Sequence, residues 1–349
     1  MIPLLGLLLL GCGKAKDTTG IPGPASGAGP ALPSIVYLQP PAPLRTVPVY
    51  SADGLKAALL DARPGDEIVL ANGVYGGRFV VPATQAGSAE HPIVLRGGRG
   101  AILDAGSTQT GYVLHLQADH WFVRGITVRN GLKGIMGDGV RHNVIDSVLL
   151  DGLGEEGIHL RKFSTHNTIQ RSEIRNTGLK TADYGEGIYI GSAKTNWATY
   201  TGGAPDRSDS NRIVGNVIGP GVAAECIDIK EGTTGGLVQG NRFDATGIQG
   251  ANAADSWIDV KGNYWLITGN TGSNPAGSRL LDGYQVHVAL DGWGNYNEFK
   301  GNTSAVNAAG FGFLVKLTSS NGTAVGNKVY ADNVVTGAAS GASNIPLTH

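Results

Sequence analysis

The chain has little of what most functional classes require. Only two of its 349 residues are cysteine, Cys12 and Cys226, which excludes a disulfide-stapled scaffold and a cysteine-based structural metal site. Charged residues make up 16% of the chain and the net charge is −1, so the broad basic footprint of a nucleic-acid binder is missing. No apolar run reaches the length of a membrane-spanning helix. What is abundant is glycine, 55 residues without a G-X-Y period, which excludes collagen and fits a chain that turns often.

The chain is organised around a recurring short strand, richest in chemistry at Glu225-Cys226-Ile227-Asp228-Ile229-Lys230. The same alternation returns at Ile135, Ile158, Ile188, Ile258, Val288 and Val315, in steps of 23, 30, 39, 31, 30 and 27 when Ile227 is included. A strand returning every two to three dozen residues predicts a parallel β-solenoid, its rungs about 4.8 Å apart. A second series, out of phase with the first, ends in Gly-Asn with asparagines at 216, 241, 270, 302 and 327. Asparagine tolerates left-handed backbone and can bond along a stack, so this column is read as structural. With two or three strands per coil and inward Ile, Val and Leu, the expectation is an all-β, right-handed parallel β-helix with one continuous core.

Residues 1–12, MIPLLGLLLLGC, look like a bacterial lipoprotein signal with Cys12 as the lipidated residue. This predicts a chain at the cell envelope or outside the cell, held to the membrane only through that anchor, and acting as a monomer. Residues 13–47 are rich in Pro, Gly and Ala and are expected to be a flexible tether, with the β-helix domain over 48–349. Residues 51–64 place Leu55, Ala58, Leu59 and Ala62 on one helical face, and a helix there would cover the open end of the solenoid. Cys226 reads as a small buried residue. The longest coil carries an insertion, residues 192–210, with Lys194, Trp197, Tyr200 and Arg207; aromatic and cationic side chains on such a loop suit a sugar chain, or else pack among themselves.

Stacking the first series yields three columns. Glu156, Glu186 and Glu225 precede their strands; Met136, His159, Tyr189, Asp228, Asp259, Ala289 and Lys316 face outward; Asp138, Arg161, Gly191, Lys230, Lys261, Asp291 and Thr318 follow two residues later. Stacked carboxylates repel unless a cation lies between them. Lys230 and Lys261 balance Asp228 and Asp259, and Glu186 with Glu225 could share a calcium ion. Such a face suits β-elimination on a polysaccharide that contains uronic acid. The proton next to the carboxylate is weakly acidic, and removing it needs a base and neutralisation of that carboxylate. Lys230 and Lys261 are the candidates for base and for neutraliser or acid. His159, Arg161 and Tyr189 lie along the direction of a bound chain. Asp228, Asp259, Trp197, Tyr200 and Lys194 are the candidates for holding the sugars.

These residues resemble a known family. Glu186-Gly187-Ile188-Tyr189-Ile190-Gly191-Ser192, the set Glu225, Ile227 and Lys230, and Ile258-Asp259-Val260-Lys261-Gly262 are similar to strands of the β-helical polysaccharide lyases that include chondroitinase B and related alginate lyases. The resemblance implies a pectate-lyase-like solenoid, Glu225 as a calcium ligand, Lys230 as the base and Lys261 in place of an assisting arginine. The chain departs from the pattern at Ala223, where the family has a second acidic ligand, and at Tyr189, where it has an arginine. Two other readings remain open. A glycan-binding surface protein needs the cleft but not Lys230, and a β-helical glycoside hydrolase would use Asp228 and Asp259 as its carboxylate pair.

Overall fold

Three-residue strands can place two apolar side chains inward and one outward, and this chain uses that alternation throughout. In strands Ile188–Ile190, Ile227–Ile229 and Ile258–Val260 every inward residue is buried completely. One coil cannot seal its apolar edge alone, and stacking on the next coil does so. The computed structural model describes residues 34–275 and 278–349. There the chain winds as a right-handed parallel β-helix with three long parallel sheets. A front sheet of ten strands runs from Phe79–Val81 to Gly341–Ser343. A back sheet of twelve runs from Arg45–Val49 to Leu347–Thr348, and a third sheet of ten from Gly73–Gly76 to Val334–Ala338.

Helix Ala52–Leu60 covers the first coil, burying Leu55 and Leu59. The Ser51 hydroxyl caps it by accepting from the Gly54 amide at 3.1 Å. The helix is shorter than its apolar spacing suggested, because the turn that accepts the Arg63 amide on Asp66 begins at once. Cys226 is buried as expected. Among the described residues no helix is long and apolar enough to cross a membrane. The lipoprotein-type start and Cys12 lie outside the described residues.

Three expectations are corrected. The first is the tether. Order begins before residue 47: the Leu38 amide donates to the Gln170 side chain at 2.9 Å, which donates back to the Leu38 carbonyl at 2.8 Å. Arg171 lies over the Tyr37 ring at 5.0 Å, and strand Arg45–Val49 already pairs with Asp66–Leu70. Residues 34–44 therefore form a strap along the outside of the back sheet. Its Pro-rich composition lowers the entropy lost on docking as readily as it marks a linker.

The second is register. The front strand after Ile258–Val260 is Tyr284–Val286, not one starting at Val288, and the next pairing is Gln285 with Leu314. Ala289, Asp291 and Thr318 therefore leave the outward columns, Gln285 and His287 enter them, and Lys316 moves from the first column to the second. The third is the asparagine ladder. It runs through Asn216, Asn241, Asn270, Asn302 and Asn333, while Asn327 belongs to a parallel ladder that accepts from the Asn297 amide.

Candidate active site

The front sheet brings the predicted columns together in strict order. His159 pairs with Tyr189, Tyr189 with Asp228, Asp228 with Asp259 and Asp259 with Gln285. Before these strands the backbone ladder continues: the amides of Gly157 and Gly187 donate to the carbonyls of Glu186 and Glu225 at 2.9 and 3.0 Å. Glu156, Glu186 and Glu225 thereby stack. After the strands the amides of Lys230, Lys261, His287 and Lys316 each donate back one coil, so four cationic or ionisable groups occupy successive rungs. The outward strand residues His159, Tyr189, Asp228 and Asp259 are buried, Lys230, Lys261 and His287 are half-buried, and Lys316 is exposed. A solvated salt-bridge ladder does not describe them.

The centre of the groove is a cavity of about 350 Å³, lined among others by Glu186, Glu225, Lys230, Lys261 and His287. Its charges form one alternating chain. His287 Nδ1 is 2.8 Å from Asp259 Oδ1; Lys261 Nζ bridges Asp259 at 2.6 Å and Asp228 at 2.9 Å; Lys230 Nζ reaches Asp228 at 2.6 Å. Burial works against the Lys230 ammonium, but the attraction of Asp228, then of Glu186 and Asp259, outweighs it and holds its pKa above the usual lysine value. Lys261 is raised in the same way, against burial, by Asp228 and Asp259. His287 is raised by Asp259. Lys230 Nζ also lies 4.8 Å from the centre of the Tyr189 ring. The Tyr189 phenol is pushed well above its ordinary pKa by burial and by the charges of Asp228 and Glu186, so it is a protonated donor.

Not every carboxylate here has a counter-charge. Burial, then repulsion from Asp228, pushes Glu225 up to about 8. Burial and the charges of Glu156, Asp228 and Glu225 push Glu186 well above the carboxylate range. Glu186 Oε2 is buried without a hydrogen-bond partner. Glu186, Glu225 and Asp228 each offer an oxygen within 4.8 Å of the others. An all-oxygen set with surplus negative charge fits a hard divalent cation such as calcium. Asp228 places a third carboxylate oxygen in this set, where Ala223 offers none.

His159 and Arg161 line a neighbouring cavity of about 240 Å³ together with Lys133, Tyr184, Tyr189 and Tyr200. His159 is immobilised, with Nε2 2.9 Å from the Gly191 carbonyl and Nδ1 3.3 Å from Glu156. Arg161 Nε donates to Asp138 at 2.7 Å while its guanidinium lies 4.0 Å from the centre of the Tyr200 ring. The two residues therefore form a wall beside the centre and are not groups at it. Tyr200 lines the same cavity.

Other candidates are placed elsewhere. Trp197 is buried and donates its indole N–H to the Ser192 carbonyl, so it packs the insertion and presents no face to a ligand. The Lys194 ammonium is held by the Ala289 carbonyl. Asp228 and Asp259 are buried and spent on the two lysines, so they position cations and hold no sugar hydroxyl. The low pKa of Asp259, held down by Lys261 and His287 against burial, also removes it as the acid of a hydrolase. Sequence reading missed His287, Lys133 and Tyr184, and it put Lys316 in the column of Asp228 instead of that of Lys230. The errors at His287 and Lys316 followed from the register slip at Val288; alternation in Tyr284-Gln285-Val286 was the available signal.

No protein-family model matches the chain, and no curated protein matches it. Solved structures do. The alginate lyase from Paenibacillus sp. str. FPU-7 is 42% identical, with a TM-score of 0.76, covering 86% of this chain and 99% of that one. Pectate lyase Pel9A is 16% identical with a TM-score of 0.56 over 82% of this chain and 80% of that one. The GH136 lacto-N-biosidase from Eubacterium ramulus is 11% identical with a TM-score of 0.53 over 86% and 68%. The last two share the fold alone.

Proposed function

Since the chain belongs to the right-handed parallel β-helix polysaccharide lyases, the family of the Paenibacillus enzyme, we propose that it cleaves a uronate polysaccharide, alginate in the first place, by β-elimination. The observation that carries this reading is the meeting of Lys230 and Tyr189 at the middle of a groove lined by Lys261, His287 and Lys316. A polyuronate offers one carboxylate per sugar, and the groove offers one cationic group per rung along its later coils.

In this mechanism Lys230 takes the proton from C5 of the bound uronate. The electron pair moves to form the C4–C5 double bond, the C4–O bond breaks, and the departing oxygen takes the phenolic proton of Tyr189. Lys261 and His287 neutralise carboxylate charge. Lys230 must first lose the proton that its carboxylates hold. Asp228, at 2.6 Å, is the group that can receive it, since exclusion of water by substrate favours the neutral pair over the ion pair. Glu186 and Glu225 would hold calcium, whose charge would weaken the hold on that proton and offset the uronate carboxylate. Arg161, His159 and Tyr200 would bind the neighbouring sugars. The lipoprotein-type start at Cys12 supports action at the cell envelope.

The test is ultraviolet absorbance of unsaturated product from alginate, pectate, glucuronan and chondroitin sulfate, each with calcium and with a chelator. Alginate is expected to give the strongest signal. Reducing ends without that absorbance would sink elimination.

A further inference from the structure

Where the front sheet turns into the back sheet, each coil places one residue at positive φ, and these residues stack. The amide of His142 donates to the carbonyl of Thr165, that of His166 to Asp209, that of Ser210 to Thr234, and that of Gly235 to Asn263. The ladder continues from Tyr264 to Asn295 and from Tyr296 to Val325. The corner therefore carries flat rings at rung spacing, but not without a break. The imidazoles of His120, His142 and His166 stack at 5.0 and 5.2 Å. The phenols of Tyr264 and Tyr296 stack at 4.8 Å and 10°. Between the two stacks lie only Ser210 and Gly235.

The tyrosine pair is 56% and 45% exposed, which is unusual for large rings that could have turned inward. One end of the pair is closed: Tyr296 lies so tightly on Gly326 that no side chain fits there. The other end is open, because nothing lies within 4 Å of where a Gly235 side chain would begin. One rim carries an ion pair. Arg207, 53% exposed, holds Asp209 at 2.8 Å, and Asp209 accepts the Thr234 amide at 2.7 Å, one residue before Gly235. The gap is thus one missing ring in a stack of rings, with a fixed guanidinium beside it.

We propose that this corner is an accessory carbohydrate site outside the groove, where a pyranose ring of an anionic polysaccharide stacks on the open face of Tyr264 over Gly235. A pyranose presents a flat face of C–H bonds to an aromatic ring, and the Arg207 guanidinium pairs with its carboxylate. The choice of a uronate polymer rests on the functional reading above; the stacking geometry does not. Such a site holds the polymer on the enzyme without touching the reacting bond.

The experiment uses the full chain carrying Lys230→Ala, so that polymer survives, and measures retardation in gels containing alginate or neutral hydroxyethyl cellulose. Tyr264→Ala and Gly235→Asn, the latter filling the gap with a residue that tolerates left-handed backbone, are each expected to raise the apparent Kd for alginate about fivefold. Tyr264→Phe keeps the parent value. In the Lys230 enzyme, Tyr264→Ala leaves turnover of short oligosaccharides unchanged. Parent-like retardation of both Tyr264→Ala and Gly235→Asn overturns the site, as does an equal loss of short-substrate turnover, which would make Tyr264 part of the groove. Equal retardation by the neutral polymer overturns the anionic assignment. Failure of the lyase reading would appear separately, as absence of unsaturated product from the parent enzyme.

Discussion

The asparagine ladder and the carboxylate column are made by the same coils at the same spacing, yet they are opposites. Asn241 is completely buried and fully bonded. Its amide and side-chain nitrogen both donate to Asn270, that nitrogen also donates to the Ile213 carbonyl, and its oxygen accepts from Asn216. Glu186 is almost as buried and leaves one oxygen bare, beside carboxylates that repel it. An amide carries donor and acceptor together, so a stack of amides closes on itself. A stack of carboxylates carries acceptors alone and stays open until a proton, a cation or a ligand arrives. The closed column holds the fold, and the open one is free to do chemistry.

That contrast is broken most severely by exchanging the expected penalties. Lys230→Ala should lower turnover by about 10²- to 10⁴-fold, and because Lys261 still pairs with Asp228 at 2.9 Å it should cost less stability than a ladder variant. Lys230→Arg keeps the charge but cannot act as a base, so it should be equally inactive; an active arginine variant would reassign Lys230 to charge neutralisation. Asn241→Ala should do the reverse, costing about 3 kcal/mol of stability through stranded buried partners. Its turnover at low temperature should match the parent. Denaturant melts and initial rates on the same preparations read both effects. A ladder variant that loses activity without losing stability would end the distinction.

The fold was legible because apolar alternation and Gly-Asn endings recur in almost every coil, and those repeats are what the core and the ladder require. The candidate site was legible wherever the inward residues were aliphatic, which is why Glu186, Tyr189, Asp228, Lys230 and Lys261 came out adjacent. It failed at Tyr284. A tyrosine looks outward-facing in a pattern, but here it fills the core against Phe313 at 4.8 Å, and Val288-Ala289-Leu290 offered a better aliphatic match four residues on. His287 was lost with it. The strap was hidden for a different reason. Composition reports chain stiffness and polarity, whereas docking depends on side-chain partners such as Gln170 and Arg171 that lie far away in sequence.

A cation sharpens the comparison from the open side. Glu186→Gln keeps the shape of the column and adds a donor to it. In chelator this variant should melt higher than the parent, because a buried repulsion is gone. Saturating calcium should raise the parent by about 2–3 kcal/mol and the variant by far less, since a ligand stabilises only the state that binds it. Calorimetry with and without calcium measures the two shifts. A parent indifferent to calcium, with a variant no more stable in chelator, would mean that the column is already closed.

The smallest effect lies at the end of the charge chain. Asp259 favours the His287 imidazolium in the folded protein, so the folded chain holds that proton more tightly than the unfolded chain does. The stabilisation is complete below the unfolded value of about 6.5 and is lost as pH rises through the raised folded value. His287→Gln should therefore melt about 2–4 °C below the parent at pH 5.5 and converge with it in alkaline solution. Glutamine still donates to Asp259 but carries no titrating charge, so a difference that persists unchanged at high pH would be a packing defect. A constant difference would also detach His287 from the chain of ion pairs that runs through Asp259 and Lys261 to Asp228. A difference that closes with pH ties the end of the charge chain to the charge that keeps Lys230 in place.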